Sequence, residues 1–244
     1  MSAPLKIPMP LRVPDLAPSL GRLLVPRRLE PPWVPLDDVR EELVTRVLEL
    51  GGEARAAAVR EQREAVLEAV SRRAWLAAWE HAVRRAGERV SGAVDGEIER
   101  AAQRVRMPPL RRRRRLLSPA EHRAIAARLS SGGEGLIAAL DALDAAAARV
   151  GDASVLDKAA HVEWQEALRT AARRLEAAWL TLEAAVAEER RRWAEEVEAI
   201  ARWRPPLWPA VALWVPLAAA LVWLGLVLGG YLPAPAWLAA RLGF

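Results

Sequence analysis

From Leu168 onward, apolar residues recur at spacings of four and three: Leu168, Ala172, Leu175, Trp179, Leu182, Val186, Trp193, Val197 and Ile200. Ala172, Trp179, Val186, Trp193 and Ile200 stand seven apart, so these positions line one seam of a helix over about five heptads. Only Glu189 interrupts the line, and the flanking positions, among them Arg173, Arg174, Glu176, Glu188, Arg190, Glu195 and Glu196, are charged. Such a seam needs a partner along its length. Both the helical stretch Glu53–Val105 of the same chain and a second copy of the chain could supply one.

The same periodicity appears further upstream. Asp37 and Asp38 stand where a helix N-cap and first turn favour acids, and Val39, Leu43, Val47 and Leu50 follow as one stripe. Gly51-Gly52 is expected to break it. A second helix is expected from Glu53 to Val105, with Val59, Val66, Val70, Leu76, Val83, Val90 and Ile98 as its larger apolar residues. Gly87, Gly92 and Gly96 should weaken its second half, by roughly 1 kcal/mol each relative to Ala. Met107-Pro108-Pro109 ends it. Ser118-Pro119-Ala120-Glu121 is a start signal, with Ser as N-cap, Pro at the first helical position and Glu closing a capping box. It predicts a helix from Pro119 to about Leu129, a turn at Ser130–Gly133, and a further helix from Gly135 to Val150 that breaks at Gly151-Asp152.

Two segments lack this pattern. Residues 1–36 hold nine prolines up to Pro35, which forbid a continuous helix. Leu5, Ile7, Leu11, Val13, Leu16, Leu20, Leu23 and Trp33 are interleaved with them, so the segment reads as an extended apolar arm able to dock on a partner or on its own body. Met1–Pro10 lacks the charged and apolar regions of a signal peptide.

At the other end there is no charged residue from Pro205 to Ala240. As a helix, Pro209–Gly229 would be about 31 Å long, matching a hydrocarbon core of roughly 30 Å. Trp203, Trp208, Tyr231 and Trp237 lie at its flanks, where aromatic rings favour the headgroup level. Within the span lie Trp214, Pro216 and Trp223; Pro216 is expected to kink it, and Gly225 and Gly229 form a GxxxG spacing that permits close helix pairing. Arg190, Arg191, Arg192, Arg202 and Arg204 precede the span and only Arg241 follows it. The positive-inside rule then puts the N-terminal body in the cytoplasm and the C-terminus outside.

Composition narrows the class. Ala, Leu, Arg and Glu dominate, and strand formers other than Val are scarce. The expected fold is all-α: an elongated helical, coiled-coil body with a Pro-rich extended N-terminal arm and one C-terminal transmembrane helix. Its regions are the arm 1–36, a helical region 37–106 of two helices with a break near 51–52, an Arg-rich linker 107–117, a helical region 118–204 ending in the heptad stalk, the span 207–230 and a short tail 231–244. The chain has no Cys, which excludes disulfides and thiolate chemistry. It has no Asn and only two lysines, Lys6 and Lys158, which fits GC-rich coding and a bacterial source.

The formal net charge is +5, and between Arg104 and Arg128 nine arginines face one glutamate. Arg111, Arg112, Arg113, Arg114 and Arg115 form the sharpest charge feature. In a mobile linker they could contact phosphates, of anionic lipid or of nucleic acid. No recognition helix, zinc module or nearby stacking aromatic accompanies them. His81, His122 and His161 make no known ligand spacing, and neither glycine cluster continues as a phosphate loop. No catalytic, cofactor or metal residue is singled out, and the chain is not expected to be an enzyme. The expected role is a scaffold or adaptor of the cytoplasmic membrane that holds protein partners, with a homo-oligomer among the assemblies it allows. The alternative is a membrane-tethered nucleic-acid accessory factor, of the plasmid mobilisation or segregation type, acting through the arginines.

Overall fold

A computed structural model describes residues 12–24, 33–152, 157–204 and 208–229. Among these the chain is helical, with no strand. It divides into two compact units, Met1–Ala201 and Arg202–Phe244.

In the first unit, α1 (Ala17–Leu24) is followed by α2 (Asp37–Val59), α3 (Arg63–Ala69), α4 (Arg72–Arg104), α5 (Pro109–Arg113), α6 (Pro119–Ser130), a 3-10 turn at Ser131–Gly133, α7 (Glu134–Asp152) and α8 (Lys158–Ala201). Side-chain pairs fix how these lie. α2 runs antiparallel to α4: Trp33 Nε1 donates to Glu97, Arg89 bonds both carboxylate oxygens of Asp38, and Glu42 meets His81 at 3.0 Å. The stretch from α5 to α7 also runs antiparallel to α4. Arg112 reaches Glu99 (3.5 Å), Leu117 N–H donates to Asp95 (2.8 Å), and Arg72 pairs with Asp141 (2.6 Å). The same stretch travels back along α8, with Arg115 on Glu196, Arg128 on Glu189 and Arg149 on Glu163. Thus α4 and α8 are parallel, and 109–152 lies along both of them. The C-terminal ends of α4 and α8 share one end of the body.

This arrangement answers the question of what covers the α8 seam. Leu168, Ala172, Leu175, Trp179, Leu182, Val186 and Ile200 are buried, and Trp193 and Val197 are half-buried. The cover comes from this chain: mostly α7, then α4, α1 and α6. A two-helix coiled coil is therefore replaced by a multi-helix core, because α7 carries its own stripe of Leu136, Leu140, Leu143 and Val150 facing the seam's side.

Three boundaries differ from expectation. α2 continues through Gly51-Gly52 and ends at Val59, whose side chain is 82% exposed. Gly51 is buried, and a Cβ there would touch Leu16 of the arm at 3.4 Å, so burial of Val47, Leu50 and Ala54 around it offsets the weak helix propensity of the glycines. The break falls instead at Glu61, which takes a left-handed φ of 56°. There Gln62 N–H bonds Ala57 O and Glu61 N–H bonds Ala58 O, a Schellman ending. Ser71 then caps α4 by accepting from Ala74 N–H, so 53–105 holds the end of one helix, the short α3 and α4. α4 does not break at its glycines. Gly87 lets α6 approach: a Cβ there would lie 3.2 Å from Ala126 Cβ. Finally, α7 includes Gly151 and Asp152.

The capping box at Ser118 forms as expected. Ser118 Oγ accepts from Glu121 N–H, and Glu121 accepts from Ser118 N–H. Hydrogen bonding from the Ser118 side chain, and then from its backbone N–H, holds the Glu121 carboxyl below the ordinary glutamate range.

The arm is described only in part. Residues 12–24 include a short helix, with Leu16, Leu20 and Leu23 buried against α8 and α2. Gln165 donates to the Arg12 carbonyl at 3.0 Å. This stretch of the arm docks on its own body.

In the second unit, α9 spans Trp208–Leu228, 21 residues with Pro216 inside. The side chains of Trp208, Pro209, Ala210, Val211, Leu213 and Leu228 lie outside the described residues, as do Tyr231 and the tail 231–244. Among the described residues no helix is long and apolar enough to cross a membrane. The unbroken described run, Trp214–Val227, would be about 21 Å long, short of a core of roughly 30 Å.

Candidate functional site

The arginines expected in a mobile linker are built into the body instead. α4 ends in a second Schellman turn, with Met107 N–H on Ala102 O and Arg106 N–H on Gln103 O. Arg106 occupies the left-handed position at φ 52°. Met107 is buried and Pro108 caps α5. In α5 and its cap, residues three and four apart share a face. Arg112 and Arg115 form one face and reach Glu99 of α4 and Glu196 of α8, the latter at 2.8 Å. Leu110, Arg113 and Arg114 form the other, and all three are exposed, Leu110 by 77%. Arg111 is exposed as well, and it too makes an interaction. Carboxylates of two parallel helices converge on this short turn, and Asp95 accepts from Leu117 N–H at its far end.

Glu189, the interruption in the seam, is 2% exposed. Arg128 of α6 grips it with two bonds, Nε to Oε1 at 2.5 Å and Nη2 to Oε2 at 2.8 Å. Burial alone would raise this carboxyl; the Arg128 hydrogen bonds and charge, with help from Arg192, outweigh it and hold the group below its ordinary value of 4.5. The same bond raises Arg128. The signal in the sequence was a lone acid where the seam calls for an apolar residue. Its partner was not legible, because nothing in the spacing marks Arg128 among nine neighbouring arginines.

The histidines are dispersed. His81 contacts Glu42 and Arg84, and His122 lies 3.4 Å from Asp95. His161 bonds Gln165 at 2.9 Å and packs near Trp164, and burial lowers its pKa. Among the described residues no three His, Asp or Glu side chains converge as a metal site would need.

α9 presents apolar side chains on every side. Trp214 (63%), Val215, Leu217, Leu221 (62%), Val222, Trp223 and Leu226 are exposed, whereas Val227 is buried. Gly225 has open space around it, and Gly229 N–H bonds Gly225 O at the C-terminal end of α9. No protein-family model matches the chain, and neither a curated protein nor a solved structure does.

Proposed function

We propose that this chain is a membrane-anchored helical scaffold, with α9 as its anchor and the body of Met1–Ala201 holding partner proteins beside the bilayer. The observation that carries the reading is α9. It has 21 residues without a charge and large apolar side chains exposed around its circumference. In water that surface is costly at roughly 25 cal/mol per Å², and in lipid the cost vanishes. Trp203, Trp208, Tyr231 and Trp237 supply headgroup anchors, and the arginines before Pro205 orient the body toward the cytoplasm, leaving the C-terminus outside. Gly225 and Gly229 offer the small surface through which two anchors could pair.

The scaffold role draws on the body. Its helices bury their own stripes and so present a fixed surface, on which Val59 and Val162 stand exposed as apolar contact points. The nucleic-acid alternative is weakened because Arg112 and Arg115 are committed to body carboxylates. Two measurements test the proposal. The full chain should stay in the membrane pellet through alkaline carbonate extraction, and crosslinking in intact membranes should return a stoichiometric partner. Release by carbonate overturns the anchor; a monodisperse, uncrosslinked monomer overturns the scaffold.

A further inference from the structure

We propose that the outward face of α5, made of Leu110, Arg113 and Arg114, docks on anionic lipid headgroups at the membrane surface. This rests on the reading of α9 as the anchor. The turn is polarised by its own pairing. Arg112 and Arg115 are spent on Glu99 and Glu196, which leaves the opposite face with one large apolar side chain and two exposed cations that have no partner among the described residues. An exposed leucine beside arginines suits a headgroup layer, where the leucine enters the acyl boundary and the guanidinium groups bind phosphate oxygens. A nucleic-acid backbone would use the cations and leave Leu110 in water.

Position supports the same occupant. α5 sits at the end of the body where α4 and α8 both terminate, since Arg115 meets Glu196 five residues before Ala201. Residues 202–207 then lead into α9. The exposed Arg104 and Arg106 lie at the end of α4 just before α5. The end of the body nearest in sequence to the anchor is therefore its cationic end. Each arginine near an anionic surface contributes attraction that falls away within a Debye length.

The test is hydrogen exchange of the full chain in nanodiscs of phosphatidylcholine, with and without phosphatidylglycerol. Amides of 110–115 should exchange several-fold more slowly in the anionic discs, and salt at about 0.5 M should abolish the difference. The double variant Arg113→Gln/Arg114→Gln, and separately Leu110→Ser, should lose the protection, and Arg113→Lys/Arg114→Lys should keep most of it. All these side chains are exposed, so folding is not at stake. Equal exchange in the two lipids overturns the proposal, as does protection by duplex DNA in neutral discs with none from phosphatidylglycerol. Failure of the wild type and the double variant alike to co-elute with either disc would instead mark failure of the anchor itself, and this proposal would fall with it.

Discussion

α8 and α9 are both rich in Trp and Leu, yet they treat those residues in opposite ways. In α8, Trp164, Leu168, Leu175 and Trp179 are buried, and Glu166, Arg169, Arg173, Arg174 and Glu176 lie between them in sequence. In α9, Trp214, Leu221 and Trp223 are exposed, and no charged position separates them. The difference lies in arrangement more than in apolar content. A stripe on one face lets α8 be covered by α7, α4, α1 and α6 while its other face meets water. A helix apolar on every side has no face to give to water, which is why lipid is proposed as its surroundings.

The comparison can be broken most forcefully at Trp179. Trp179→Ala removes a buried ring and should cost about 3–5 kcal/mol. Thermal unfolding of the full chain in detergent should show the loss, while carbonate extraction stays unchanged. The reciprocal change is Leu221→Arg, which should cost about 3 kcal/mol of membrane insertion. It should shift the chain toward the carbonate-soluble fraction and leave the body's melting transition in place. An intermediate effect is expected at Gly133, where a Cβ would lie 2.6 Å from Nε1 of the buried Trp79. Gly133→Ala should destabilise the body by about 1–3 kcal/mol, read by urea unfolding.

The smallest effect concerns the acid inside the α8 seam. Glu189 has a folded pKa below its ordinary 4.5. Its contribution is therefore fully present above that value and is lost as pH falls through the lowered pKa. Glu189→Gln should cost about 1–2 kcal/mol at neutral pH, since Arg128 is only about one-third exposed and loses its charged partner. Its stability should also fall less steeply below pH 4.5 than that of the wild type. Glu121 shifts in the same direction, so the variant's profile becomes shallower without becoming flat.

Local signals in the sequence translated directly into structure. The Ser118–Glu121 box, the α8 seam and the all-α class follow from short-range chemistry, where hydrogen bonds and helical spacing act within a few residues. What long-range packing decides was hidden. Gly51-Gly52 reads as a break by propensity, yet Leu16, more than thirty residues away, packs on it. The arginines at 111–115 read as a solvated run, yet Glu99 and Glu196 sort them into two faces. The exposed face with Leu110 could not be seen without knowing which arginines the body had already taken.

The central claim is that α8 and α9 live in different solvents, and the absence of native cysteines makes it directly testable. A single spin label is placed by Leu221→Cys on α9 or by Leu180→Cys on the exposed face of α8, in full chain reconstituted into lipid. Power-saturation measurements then compare access of oxygen with that of a water-soluble nickel chelate. The label at 221 should be open to oxygen and shielded from nickel, and the label at 180 should show the reverse. Nickel access at 221 equal to that at 180 would contradict the account.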